Sequence, residues 1–134
     1  MGQAPSAGAR AAAAGAAIVR LDVGARISEA SVCNGLVHLA GQVANDTAQG
    51  IEGQTREVLA SVDALLARCG SSKERILMVQ VYLPHISRDF AGMNKAYEAW
   101  VAKGNQPPRA TVQAELADPK WLIEVVVTAA SSNA

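Results

Sequence analysis

Aromatic side chains are scarce in this chain: one Phe, two Tyr and two Trp among 134 residues. With 50% of the residues hydrophobic, the core must be built from Ala, Val, Leu and Ile. An excess of either charge is also missing, since 12 basic residues balance 12 acidic ones and the pI is near 6.7. That balance argues against nucleic acid or an anionic membrane as partner, because either calls for a basic stripe. Cys33 and Cys69 show neither metal-ligand spacing nor a disulfide framework, and read as reduced thiols of a cytoplasmic or organellar protein. The two histidines, His38 and His85, have no partner at metal-ligand or triad spacing and read as structural or surface groups. No apolar run approaches the length that spans a bilayer.

At this length the chain makes one domain with a single two-layer core. Residues 1–17 are nearly all small, with Arg10 their one charge. They bury too little to offset ordering entropy, so a disordered extension is expected before a single domain over 18–134. Gly2 with Ser6 also fits the myristoylation pattern, and the acid-poor start weakly resembles an organelle transit peptide. Both patterns arise easily in Ala/Ser/Gly-rich sequence.

Ile18 to Val23 is a candidate strand, and Ser28–Cys33 with Leu36–Val43 reads as a hairpin turning at Asn34-Gly35, the dipeptide of a type I′ turn. Ile51, Thr55, Val58, Leu59, Val62, Leu65, Leu66 and Cys69 then recur at helical spacing, with Gly70 placed to end the helix and Cys69 turned inward. Ser71 with Glu74 predicts a capping box over a short turn. Ile76 to Leu83 is a strongly apolar strand stopped by Pro84. Ser87 is the expected cap of a second helix whose buried stripe is Phe90, Met93, Tyr97, Trp100 and Val101. The order β-β-β-α-β-α-β-β predicts an α+β two-layer domain, with two helices on one face of a sheet.

The last third is the most informative. From Arg109 to Leu116 the even positions are apolar and the odd ones polar, the alternation of a half-buried strand. Asp118-Pro119 breaks the run, and Trp121 to Ala130 reads as a second strand with Glu124 among apolar neighbours. A charge there costs free energy unless it is paired or hydrogen-bonded. If both strands join one sheet with their apolar faces on the core, Arg109 and Glu124 share the opposite face. Leu122 and Val126 lie on that face too, and no further chain is left to cover it, which predicts a subunit interface.

Together the segments LVHLAGQV (36–43), GQTREVLASVDALLARCG (53–70), VQVYLPHISRDFAGMNKAYEAW (79–100), PPRATVQAEL and WLIEVVVTAA resemble the Rid family, the reactive imine/enamine deaminases also labelled endoribonuclease L-PSP. The resemblance, covering about 28–130, implies a chorismate-mutase-like fold in a homotrimer whose open sheet faces form a central barrel, with sites between subunits. It implies a 2-iminoalkanoate deaminase, a hydrolase acting on C=N. Arg109 then matches the arginine that holds the substrate carboxylate, and Glu124 the glutamate that orients or activates water. Gly41 matches a glycine whose backbone lines the site, and Asn94 an asparagine near it. Three positions depart from the best-studied branch: Ile27-Ser28 stands in place of a tyrosine segment, Ala40 in place of a serine, and Thr111 in place of a cysteine. These alter the pocket and put substrate range in question; Thr111 is the candidate that tunes which side chains fit.

The chemistry is consistent with this. Arginine's planar fork suits a carboxylate in two parallel charge-assisted bonds. A neighbouring carboxylate can take a proton from water as it adds to the C=N carbon, which is worth roughly 10² to 10⁴ in rate. The uncatalysed hydrolysis of such imines is already fast, so no metal or cofactor is required. On the residues alone, Arg109 and Glu124 read first as an ion pair across the subunit interface. Two other functions compete: a non-catalytic carboxylate-binding or chaperone-like trimer, and an endoribonuclease. The neutral charge, sparse aromatics and lack of a histidine pair count against the second.

Overall fold

The computed structural model describes residues 16–132, so the myristoylation and transit readings lie outside the described residues. Its elements are β1 (Val19–Leu21), β2 (Ala30–Cys33), β3 (Leu36–Leu39), α1 (Ile51–Arg68), a 3-10 turn (Lys73–Arg75), β4 (Ile76–Leu83), α2 (Ile86–Trp100), β5 (Arg109–Gln113) and β6 (Glu124–Ala130). The six strands form one mixed sheet in the order β1-β2-β3-β6-β4-β5, antiparallel throughout except for the parallel β4–β5 pair. Both helices pack on one face, as the pattern predicts.

The β2–β3 hairpin turns at Asn34 (φ 51°) and Gly35 (φ 76°), the two positive angles that a type I′ turn demands. At the end of α1, Gly70 adopts φ 71°, its N–H reaches Ala67 O at 3.2 Å, and Ser71 N–H reaches Leu66 O at 2.8 Å. This pair of bonds is a Schellman motif, which satisfies carbonyls the helix leaves free. Cys69 is buried beside it, and burial pushes its thiol pKa up. The core joins Val58, Leu59, Val62 and Leu66 of α1 to Val37, Val79, Val81, Leu83, Val125 and Val127 of the sheet, with Met93 and Tyr97 of α2. No helix among the described residues is long and apolar enough to cross a membrane.

Several expectations are corrected. The expected Ser71–Glu74 capping box does not form. Ser71 Oγ instead donates to Ala130 O at 2.6 Å and ties the turn to β6. Ser87 lies inside α2, whose N-cap is His85 without a side-chain cap bond. Phe90 is 43% exposed; the buried face of α2 runs through Asp89, Met93, Ala96 and Tyr97 instead.

The largest correction concerns β5 and β6. They do not pair with each other, because β4 lies between them. Arg109, Thr111 and Gln113 are in register with Val79, Val81 and Leu83, three fully buried residues on the helix side. Glu124 is in register with Tyr82, on the open side. Arg109 and Glu124 therefore lie on opposite faces of the sheet. The alternation of β5 was right but its assignment to faces was inverted, since Val112 is 42% exposed. Leu36 and Met78, also on the open face, are 42% and 37% exposed. An open face that carries apolar residues removes the cue by which polarity tells the two sides apart.

Candidate functional site

The candidate residues fall into two groups. The first is built where β5, an edge strand, runs beside α2. Pro107-Pro108 ends the preceding segment, and Val79 N–H donates to Pro108 O at 3.0 Å, which starts the parallel register that points Arg109 toward α2. The Arg109 guanidinium lies over the Tyr97 ring, 4.6 Å from its centroid, and one N–H approaches Met93 Sδ at 3.8 Å. No carboxylate lies within ion-pair distance of Arg109 among the described residues. Tyr97 is 7% exposed and its hydroxyl has no hydrogen-bond partner among them; the same holds for the buried Thr111 hydroxyl. Burial raises the Tyr97 pKa, against an opposing pull from the Arg109 charge. Asn94 follows Met93 on α2 and is partly buried. A half-buried arginine with free donors, beside hydroxyls that lack partners, can receive a planar anion without breaking an existing ion pair.

The second group lies past the end of β3. Gln42 exchanges backbone bonds with Val125, at 2.8 and 3.1 Å, and so lays Gly41 against Glu124. A Cβ at position 41 would sit 2.2 Å from Glu124 Oε2, so only glycine leaves this carboxylate where it stands. Glu124 and Gly41 share a cleft of about 420 Å³ with Ile27, Glu29, Gln42 and Trp121. Gln42 Nε2 donates to Glu29 Oε1 at 3.3 Å and to Ala40 O at 2.9 Å. The arrangement places a carboxylate in a water-accessible cleft beside exposed backbone.

Two residues that shape this cleft were not among the sequence candidates. Gln54 is fully buried on α1, donates to Gln49 O and Lys120 O at 3.2 and 3.1 Å, and accepts from Leu122 N–H at 2.9 Å. It pins the backbone leading into Glu124. The available signal was a glutamine four residues before Val58 on the apolar face of a helix. Glu57 reads from sequence as a solvated charge, yet its carboxylate accepts from Asn45 and Asp46 N–H and from Gln49 Nε2, holding the 45–49 loop. Arg68, read the same way, makes a two-bond pair with Asp22 at 2.8 and 2.9 Å. Both His38 and His85 are exposed, and no group of three or more potential metal ligands occurs among the described residues.

Residues 17–131 match the family described as Endoribonuclease L-PSP. The chain is 45% identical over 116 residues to a RutC family protein of Haemophilus ducreyi, covering 87% of this chain and 98% of that one. It is 42% identical over 113 residues to the RutC family protein YoaB of Escherichia coli, covering 84% and 97%. Among solved structures, a YjgF family member from Neisseria meningitidis superposes with a TM-score of 0.82 at 41% identity, covering 88% of this chain and 98% of that one. A Rid family protein from Yersinia pestis gives 0.71 at 28% identity, covering 81% and 90%.

Proposed function

This chain belongs to the endoribonuclease L-PSP family, the RutC, YjgF and Rid proteins, and on that premise we propose that it hydrolyses 2-imino acids, or their enamine tautomers, to 2-keto acids and ammonia. The observation that carries this reading is the Arg109 guanidinium, clamped over Tyr97 with no carboxylate partner among the described residues. Its fork binds the carboxylate that every 2-imino acid presents. Glu124 takes a proton from a water that adds to the C=N carbon. The proton then passes to nitrogen, and collapse of the resulting carbinolamine forms the C=O bond and releases ammonia. Gly41 supplies backbone on one wall, while Thr111 and Asn94 shape the side-chain end.

Arg109 and Glu124 lie on opposite faces of one sheet, so the complete site combines Arg109 of one copy with Glu124 of the next. The exposed Leu36, Met78 and Val112 favour such an assembly, because they give the open face apolar area to bury between copies. We assign it as a homotrimer. The test is ammonia release from an imine generated in situ by an amino acid oxidase, with sedimentation equilibrium in the same buffer. Imine hydrolysis by a trimer supports the proposal. Keto-acid binding without turnover would leave a carboxylate-binding protein in its place, and a monomer at micromolar concentration would remove the shared site.

A further inference from the structure

Tyr97, on which Arg109 rests, has nothing polar to hold it. Its hydroxyl is buried and makes no hydrogen bond among the described residues, so packing and not a hydrogen bond sets the plane of its ring. The ring it meets is that of Trp100, one turn further along α2, with centroids 5.6 Å apart and planes 57° from parallel. That tilted geometry lies in the favourable range for aromatic pairs.

Trp100 is itself fixed from two other elements. Its indole N–H donates to Asp63 Oδ2 on α1 at 2.9 Å. Lys73, in the 3-10 turn, donates to the Trp100 backbone O at 2.7 Å and its ammonium lies 5.6 Å from the centroid of the indole. Trp100 is the last residue of α2, where carbonyls lack helical partners, and the last turn of α2 has no basic residue of its own. Lys73 supplies that cation from outside the helix and steadies an end that would otherwise fray. Contacts therefore run without a gap from Asp63 and Lys73 through Trp100 and Tyr97 to Arg109. Asp63, Lys73 and Trp100 border a groove between α1 and α2, in the helix layer and away from the open face of the sheet. None of them lines the Glu124 cleft.

We propose that Trp100 is a positioning residue for the substrate carboxylate. Asp63 and Lys73 fix the indole, the indole fixes the Tyr97 ring, and that ring holds the Arg109 fork in its binding orientation. This rests on the reading of Arg109 as the carboxylate clamp. Without the indole, Tyr97 gains room and Arg109 gains freedom, which must be given up again on binding. Trp100 acts only through Tyr97 and Arg109, so its loss weakens binding and leaves the chemical step alone.

The test reads Arg109 directly, from its side-chain Nε–H resonance in a proton–nitrogen spectrum of the full chain, assigned by its absence in Arg109→Lys. Ring current shields protons over an aromatic face, so this resonance should lie upfield of those of the exposed arginines. Trp100→Leu should move it downfield, and Asp63→Ala, which removes only the acceptor of the indole N–H, should move it part of the way. Ala64→Gly weakens α1 at an exposed position without touching either ring, and should leave it in place. In the same variants, KM for an imine generated in situ should rise about threefold or more in Trp100→Leu, less in Asp63→Ala and not at all in Ala64→Gly, with kcat unchanged in all three. Asp63→Ala keeps the whole core, so the comparison stands even if Trp100→Leu fails to fold. An Arg109 resonance that stays in place in the folded variants, or a fall in kcat with KM unchanged, would overturn the proposal. If the resonance moves as expected but the unsubstituted chain neither hydrolyses imines nor binds a keto acid, Trp100 still positions Arg109 and the carboxylate reading is what fails.

Discussion

The Arg109 group and the Glu124 group hold their charges in opposite ways. Arg109 is gripped by its surroundings, with an aromatic ring on its flat face and a thioether at one nitrogen, inside the angle between β5 and α2. Glu124 is given room, because Gly41 has no side chain to displace it and the cleft around it is open to water. The difference suits their proposed tasks. A group that recognises the feature common to all substrates gains from being pre-oriented, since less freedom is lost on binding. A group that must find and deprotonate water needs access more than rigidity.

Removing Arg109 is the most direct way to break this comparison. Truncating one partner of a buried charge pair typically costs about 2 to 5 kcal/mol. Arg109→Ala should therefore abolish detectable imine hydrolysis and keto-acid binding together, as read by ammonia release and calorimetry. Turnover at the unsubstituted rate would sink the mechanism.

Glu124→Gln should leave keto-acid affinity intact while lowering kcat by about 10²-fold or more, the signature of a group that acts only on the way to the transition state. An unchanged kcat would reduce Glu124 to a structural partner. Gly41→Ala puts a methyl where the Glu124 carboxylate now lies and should reproduce that loss in milder form. Its melting temperature should move little, because the displaced group is the end of a flexible side chain.

Tyr97 sharpens the other side. A cation over an aromatic face gains about 0.5 to 2 kcal/mol. Tyr97→Leu should raise KM several-fold through a freer Arg109, whereas Tyr97→Phe, which keeps the ring, should retain the original KM. Equal KM values for the two variants would show that the ring does not hold Arg109. The smallest effect is expected at Thr111. Its buried hydroxyl has no partner among the described residues, and such a group costs about 1 to 3 kcal/mol. Thr111→Val should thus be neutral or stabilising in a thermal melt, with a changed preference among substrate side chains; a clear loss of stability would mean that the hydroxyl is bonded after all.

Much of this was readable from the residues. Asn34-Gly35, Gly70 and the run from Ile76 to Leu83 announced a turn, a helix end and a strand, because each depends on local backbone preference. Caps were less legible: Ser71 and Ser87 fit helix-start patterns, but distant backbone claimed the first and the second fell inside its helix. Glu57 looked like a solvated helix-surface group, and Gln54 stood on the apolar face of its helix with nothing nearby to mark its partners. Their bonds run to loops, including one 66 residues away at Lys120, and no local pattern encodes such a partner.

By itself, the sequence determined the order of elements, the alternation along β5 and β6, and the residue types able to hold a carboxylate and activate water. Tertiary structure decided which face each of those residues occupies. The reason is strand order: β4 enters between β5 and β6 and pairs parallel to β5, so its register, and not the polarity of β5, points Arg109 toward α2 and leaves Glu124 on the other side. Period-two patterning says which residues share a face, while only long-range pairing says which face meets the helices.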